Sequence, residues 1–528
     1  MNIFKRNILL ITLVIYGIYN SGCTRLDVKP LSVYTPANFP TTSAQFIAAT
    51  GPIYTEFRGA PGREFWLSQE LSSDEAVLPA FNGNWYDGAE YMQLNQHTYD
   101  GDNGVVTTVY NWGFGTISAC NEVLSLFDAS PASAAKTQTV AEIKTMRAMA
   151  YFFMMDDFGN VPLITAFGQT TNLGTQSRAK VFAFIESELL AQIPNLSSTV
   201  DITTYGRPTK YAAYAILAKM YLNAEYYTGT ARYQDAVTMC DNIIQGGKYA
   251  LDANFLAMFK PNNGPQIRDF IFAIPYDGNL AQGMYYARWP LHPALQTKYS
   301  MPYAPSGPML TYYSFYQTFN DPNDQRNGQW LFGKQYDYHG NPIIINTTNI
   351  GLDASYSGPN PSAPVSHQLE FTANIVWRND ATFDVGDDEL AIEEGARNNK
   401  FYPDSTSSSR NQGNDVPLFR YADVLLEKAE AILRGATTTN GDSPLSLVNQ
   451  VRSRAGAAAF TSVALTDILD ERGRELSFES WRRNDLIRFG QFEKPWGIKT
   501  DVNPDHRIFP IPNSQIQLNS QLIQNPGY

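Results

Sequence analysis

Apolar residues recur at helical spacing in three pairs of segments. Residues 140–159 ("VAEIKTMRAMAYFFMMDDFG") are followed by 179–196 ("AKVFAFIESELLAQIPNL"). Residues 208–227 open on Pro208, carry Ala between Leu and Met, and lead through a short polar break into "RYQDAVTMCDNIIQGG", which stops at Gly246 and Gly247. Residues 417–435 and 444–456 repeat the build. The second pair occupies about one 34-residue tetratricopeptide period. Ala148, Ala150, Ala212, Ala213, Ala215, Ala218, Ala429 and Ala431 let helix axes approach closely. The pattern predicts an all-α, tetratricopeptide-like scaffold of helix pairs.

Between about 250 and 415 the periodicity disappears. Pro, Gly, Asn, Tyr and Trp dominate, as in "YDGNLAQGMYYARWPLHP", so this stretch predicts long irregular loops with short strands at most. Residues 81–104 have the same character. Irregular stretches of this length inside a folded chain are commonly functional surfaces.

The N-terminus is set apart by charge and hydropathy. Lys5 and Arg6 precede an apolar run at 8–18, which is too short to span a bilayer and fits a secretory signal. "NSGC" then puts Gly22 before Cys23, as in a bacterial lipobox, although Asn20 stands where Leu is usual. The expectation is a signal at 1–22, lipid attachment at Cys23, and anchoring without spanning. The mature chain divides into 23–230 and 231–528, the latter carrying the 250–415 insert. Cys120 and Cys240 each lie in an apolar helical pattern and read as buried thiols, with a disulfide left open.

Composition narrows the function. Lys and Arg number 39 against 51 Asp and Glu, a net charge of −12, which excludes a general nucleic-acid binder. Aromatic residues make up 13% and charged residues 17%, a surface suited to neutral polar ligands. Yet five arginines (Arg472, Arg474, Arg482, Arg483, Arg488) crowd into "ERGRELSFESWRRNDLIRFG" at 471–490. On one helix over 465–488, Leu465, Ile468, Leu469, Leu476, Leu486 and Ile487 form a stripe, and Arg472, Glu479 and Arg483 project into it. Charges there need partners, and Glu479 with Arg483 and Arg472 with Glu475 have pairing spacing. The cluster reads as structural.

This segment resembles the C-terminal signature of the SusD/RagB family. "ELSSDE" (70–75), "HTY" (97–99), "RAMAYF" (147–152), "DFGNVPL" (157–163), "GRPTKYAAYAILAKMYLN" (206–223), "RYADVLLEKAEAILRG" (420–435), "VNQVRSRAG" (448–456), "FPIP" (509–512) and the terminal "QNPGY" are similar to its other motifs, in the same order. The resemblance spans nearly the whole mature chain. It implies an outer-membrane lipoprotein facing the cell exterior, which captures nutrients, mostly glycans, as the lid of a TonB-dependent (SusC-like) transporter. It also implies no catalysis and no cofactor. Peptide capture on the same architecture, a surface glycosidase and a tetratricopeptide assembly scaffold are the alternatives.

No catalytic motif competes. Asp157-Phe158-Gly159 lacks every other kinase element. The histidines (His97, His292, His339, His367, His506) show no metal-ligand spacing, so no metal site is expected. "DDELAIEE" (387–394) reads as a solvated acidic run. Sugar recognition needs aromatic faces flanked by amides or guanidinium groups. Two Trp-bearing loops supply these. Asn82, Asn84, Trp85 and Tyr86 form one, and Tyr285, Tyr286, Arg288 and Trp289 the other, with Trp330 as an outlier.

Overall fold

The computed structural model describes residues 39–347, 365–407 and 409–528; Cys23 and the signal segment lie outside them. The main helices are α1 (Glu64–Leu71), α2 (Gly104–Asp128), α3 (Ala134–Phe158), α4 (Arg178–Gln192), α5 (Lys210–Leu222), α6 (Tyr233–Gly246), α7 (Tyr421–Leu433), α8 (Pro444–Arg454), α9 (Leu465–Leu476) and α10 (Arg482–Arg488). Their starts are chemically marked. Asn103 accepts from the Val106 N–H at 3.1 Å, Ser133 from Lys136 at 3.1 Å, and Ser443 closes a capping box with Ser446 before Pro444. Gly159 (φ 66°) and Gly247 (φ 62°) end α3 and α6.

The helices pack in a chain: α2 on α3, α3 on α4, α5 on α6, α6 on α7, and α7 on both α8 and α9. The alanines singled out above are all buried at these contacts. From Thr145 to Phe158, α3 is buried on every side, which places it at the centre of the core. Helix α2, which carries Cys120, is not among the three pairs read from the periodicity. Gly113 is there for approach: a Cβ would sit 2.3 Å from the Met154 sulfur on α3. Cys120 and Cys240 are buried free thiols. Among the described residues no helix is long and apolar enough to cross a membrane.

The 250–415 stretch is mostly loop, as expected, with short helical turns and strands of two residues, two of four (Ile344–Thr347 and Val365–Gln368) and one of five, Phe270–Ile274. That strand pairs antiparallel with Val416–Arg420, Val416 opposite Ile274. The expected helix at 417–435 therefore begins only at Tyr421. A distant apolar partner decides the conformation of "VPLFR", and local spacing carries no trace of it.

The signature segment is also two elements where one was expected. Ser477–Trp481 breaks the helix, with Phe478 (φ 57°) and Ser480 (φ 67°) in the left-handed region. The break is gripped from the N-terminal motif. Glu75 accepts from the Phe478 N–H at 2.9 Å and Glu70 from Ser480 at 2.8 Å. Trp66 Nε1 donates to the Phe478 carbonyl, and Arg482 makes a fork with Asp74 at 2.7 and 2.8 Å.

The break redirects the charges, so neither expected pair forms. Glu479 is held by Arg420 (2.7 Å) and Lys400 (2.5 Å). Arg472 bridges Asp423 (2.7 Å) and Asp485 (2.8 Å). Arg483 lies over Phe509 at 4.2 Å and reaches Tyr99 and the His506 carbonyl. The arginines are nonetheless buried and structural.

Glu70 and Glu75 are buried, Glu70 Oε2 and Glu75 Oε1 have no other hydrogen-bond partner, and a proton held between the two carboxyls would relieve their repulsion. Burial foremost, then the neighbouring carboxylate, pushes Glu75 above the usual carboxylate range, and burial pushes Glu70 up to about 7. A raised carboxyl pKa means the folded state keeps a proton that the unfolded chain has released. Stability should therefore fall as pH rises from the ordinary value of 4.5 toward about 7. Glu70→Gln keeps an acceptor for Ser480 and a donor for Glu75. It should flatten that fall by on the order of 3 kcal/mol. Urea denaturation at pH 5 and 7.5 measures it; equal slopes in both proteins would contradict the shared proton.

Candidate functional site

The Trp85 loop is built from unusual backbone. Asn82 (φ 50°), Gly83 (81°), Trp85 (67°), Asp87 (43°), Gly88 (69°) and Ala89 (72°) all adopt left-handed conformations. For a non-glycine residue this costs on the order of 1–3 kcal/mol and persists only where the surroundings impose it. The surroundings here are Asp384. Its carboxylate accepts from the backbone N–H of Asn82 at 2.9 Å and of Gly83 at 2.7 Å. Ala80 exchanges backbone bonds with Phe383 and Val385 on the same strip, and Phe81 pairs with Asn84. The Asn82 amide donates to Asp387 at 3.2 Å, so it works as a tether.

This geometry holds the Trp85 ring half-buried at the surface. Its edge meets Trp289, ring centres 5.4 Å apart at 64°. The Arg288 guanidinium lies 5.6 Å from the Trp85 ring and 5.3 Å from that of Trp289, and Arg63 covers Trp289 at 5.3 Å. Arg288 Nε donates to the Ser306 hydroxyl at 3.0 Å, which aims the group. Burial, then the nearby charges of Arg410 and Arg63, hold Arg288 below its usual pKa. Arg63 Nε, Trp289 Nε1 and the Tyr303 hydroxyl are buried without a hydrogen-bond partner. The rim is thus rich in donors and carries an aromatic face.

The two loops come together as the composition suggested, but their roles separate. Trp289 is 0% exposed and offers no face to a ligand; it is the wall against which Trp85 is braced. Tyr286 is buried, stacked on Trp66 at 4.2 Å with its hydroxyl donating to the Pro61 carbonyl. Trp330 is buried against Phe319, Tyr316 and Phe478. These three correct the expectation of a shared platform, because apolar burial claims their rings. Asn84 is exposed, Tyr86 and Tyr285 half-buried. Arg63, Tyr303, Arg410 and Asp384 were not anticipated, since nothing local in sequence marks them. The run at 387–394 is not solvated either: Asp388, Glu393 and Glu394 are buried. A cavity of about 640 Å³ beside Tyr110 and Gln515, and an apolar one of about 330 Å³ beside Tyr54 and Tyr205, are not lined by Trp85, Trp289 or Arg288. Trp85 stands half-buried at the surface, outside both cavities.

Comparison with known proteins decides the family. The model described as "SusD family" matches residues 215–528, and "Starch-binding associating with outer membrane" matches 26–222. The chain belongs to the SusD family. It is a binding protein and not an enzyme. The starch-binding protein SusD of Bacteroides thetaiotaomicron is 26% identical over 437 residues, 74% of this chain and 72% of that one. A SusD-like protein of Formosa agariphila is 23% identical over 556 residues, 99% and 98% of the two chains. A SusD superfamily protein from Parabacteroides distasonis shares the fold with a TM-score of 0.70 at 21% identity, covering 92% of this chain and all of its own. Surface glycan-binding protein A of Bacteroides thetaiotaomicron, solved with laminarihexaose, superposes with a TM-score of 0.67 at 20% identity, again over 92% of this SusD-family chain and 100% of its own.

The clamp predicts a measurable consequence. Asp384→Ala removes both backbone anchors, so the 82–89 amides should exchange with deuterium at least tenfold faster while the global melt changes little. Unchanged exchange would show that the loop holds its shape without Asp384.

Proposed function

We propose that this SusD-family protein captures a glycan at the cell surface, with Trp85 as the stacking platform and Arg288 as the principal hydrogen-bond donor. The reading extends to the family's transport role: a lid over a TonB-dependent outer-membrane transporter, tethered through lipid on Cys23 after removal of residues 1–22. The observation that carries it is Trp85 itself. A large aromatic ring is held at the surface at a strained backbone, braced by Trp289 and overlaid by Arg288, with Arg63 over Trp289 behind it. A pyranose presents C–H groups to such a face and hydroxyl and ring oxygens to such donors. Fixed presentation matters, because ordering a mobile side chain on binding would offset the gain. The relatives named for starch binding and solved with laminarihexaose support the ligand class. A platform at the surface, unlike a closed pocket, accepts the interior of a polymer.

Maltoheptaose and laminarihexaose, within a wider glycan array, are the first probes. Trp85→Ala should weaken the best binder several-fold to tenfold, from about 0.5–1.5 kcal/mol of stacking beyond buried area. Its melt should stay near wild type. Trp289→Ala should lose both affinity and stability, since it removes the brace and a buried ring. Isothermal titration and calorimetry separate the two; full affinity in Trp85→Ala would place the site elsewhere.

Anchoring has its own test. Cys23→Ala should move the protein from the outer-membrane fraction to the soluble one. Retention in the membrane would rule out the lipid as the anchor.

A further inference from the structure

Two histidines that are far apart in sequence meet two carboxylates from the 387–394 run. His367 lies on the strand Val365–Gln368, which pairs with Ile344–Thr347. Glu389 and Glu393 lie one turn apart, at the first residue of the helical turn Glu389–Ile392 and just beyond its last. One donor atom each from His367, Glu389 and Glu393 falls within 4.8 Å of the other two. His367 Nε2 is 2.6 Å from Glu393 Oε1, and His292 Nε2 is 3.2 Å from Glu389 Oε1. His367 Nδ1 has no partner although it is buried, and Glu389 Oε1 receives no well-formed hydrogen bond.

We propose that His367, Glu389 and Glu393 form a binding site for a divalent transition metal of the zinc class, with His292 orienting Glu389 from behind. The division of roles follows from hydrogen bonding. His292 Nδ1 accepts from the Ala294 N–H at 3.1 Å, so the neutral ring carries its proton on Nε2, the nitrogen that faces Glu389 Oε1 at 3.2 Å. It therefore cannot be a ligand, and it fixes its neighbour as outer partners of metal ligands do. Glu393 is fixed in the same way, its second oxygen accepting from the Glu370 N–H at 3.2 Å. His367 has no such restraint. It moves its proton from Nε2 to the free Nδ1 and turns the Nε2 lone pair toward the ion.

One imidazole and two carboxylates make a donor set that suits zinc better than calcium, which prefers oxygen alone. Tetrahedral bonds of about 2.0–2.1 Å put ligand atoms about 3.3 Å apart. The His367–Glu393 contact must open slightly and the wider contacts close. His367 is 20% exposed at the side chain, which leaves a path for the ion and a position for water. Arg397 is a nearby competing cation, and its two terminal nitrogens donate to the Gly307, Met309 and Ile392 carbonyls. The ion would pin the strand at 365–368 to the turn that follows the Asp384 clamp.

The test uses the whole mature protein, dialysed against a chelator. Titrated zinc should bind at one ion per chain and raise the melting temperature. Cobalt in its place should give visible d–d absorption reporting nitrogen ligation. His367→Ala should abolish that spectrum, and Glu389→Gln should weaken zinc binding strongly. His292→Ala should weaken it by roughly 10–100-fold. The metal-free melts of the variants control for folding, and Glu389→Gln serves should His367→Ala fail to fold. Absence of stoichiometric zinc uptake, or affinity indifferent to both His367 and Glu389, overturns the assignment. Calcium binding without any need for His367 overturns it as well.

Discussion

Buried charge that must be paired is the constraint on which the rest of this structure depends. Glu475 is the centre. It is fully buried and contacts Arg420 at 2.9 Å, Arg326 at 3.2 Å, and Arg454. Burial alone would raise its pKa; the three guanidinium groups overcome that and hold it well below the usual carboxylate range. Around it, Arg420 reaches Asp269 and Glu479, Arg326 reaches Asp324 and Glu471, and Arg452 reaches Glu471. The partners come from several parts of the chain: Asp269, Asp324 with Arg326, Arg420, Arg452 with Arg454, and Glu471 to Glu479. An isolated buried ion is so costly that these segments are kept in one arrangement, because a shift of any of them strands a charge. The network adds specificity more than strength, since a well-packed apolar replacement would be comparably stable.

The same logic joins the two ends of the chain. Glu70, Asp74 and Glu75 of the N-terminal motif hold the break at Ser477–Trp481, some four hundred residues away. The break turns α10 away from α9, which sends Arg483 to Phe509 and leaves Glu479 to Arg420 and Lys400. The signature arginines and the acidic motif are thus two halves of one device. Both are needed before the loop-rich stretch has a fixed base.

Much of this was legible in the sequence, and the misses have a common cause. Helices α3 to α8 stood out because spacing, caps and small residues are local. So did the irregular character of 250–415. The conformation of 417–420, the break at 477–481 and the true partners of Arg472 and Arg483 were not legible, because each is decided by residues on other elements of the fold, from Phe270–Ile274 for the first to Glu70 and Glu75 for the second. At the site, composition picked out two loops that the fold brings into contact. It could not tell Trp85 from Trp289, since Asp384 holds the Trp85 loop out while Arg63 and Tyr91 cover Trp289, and each of these lies far in sequence from the ring it acts on. The histidines illustrate the same limit: His292 and His367 have no useful spacing and still meet the same pair of glutamates.

The functional reading rests on one ring being presented and another being hidden, a distinction that a ligand complex resolves directly. The decisive measurement is a crystal structure of the protein with a bound oligosaccharide from the best-binding class. The account predicts a pyranose ring stacked on the Trp85 face, with Arg288 donating to its oxygens and Trp289 still covered. A sugar bound with the Trp85 face left bare would contradict it.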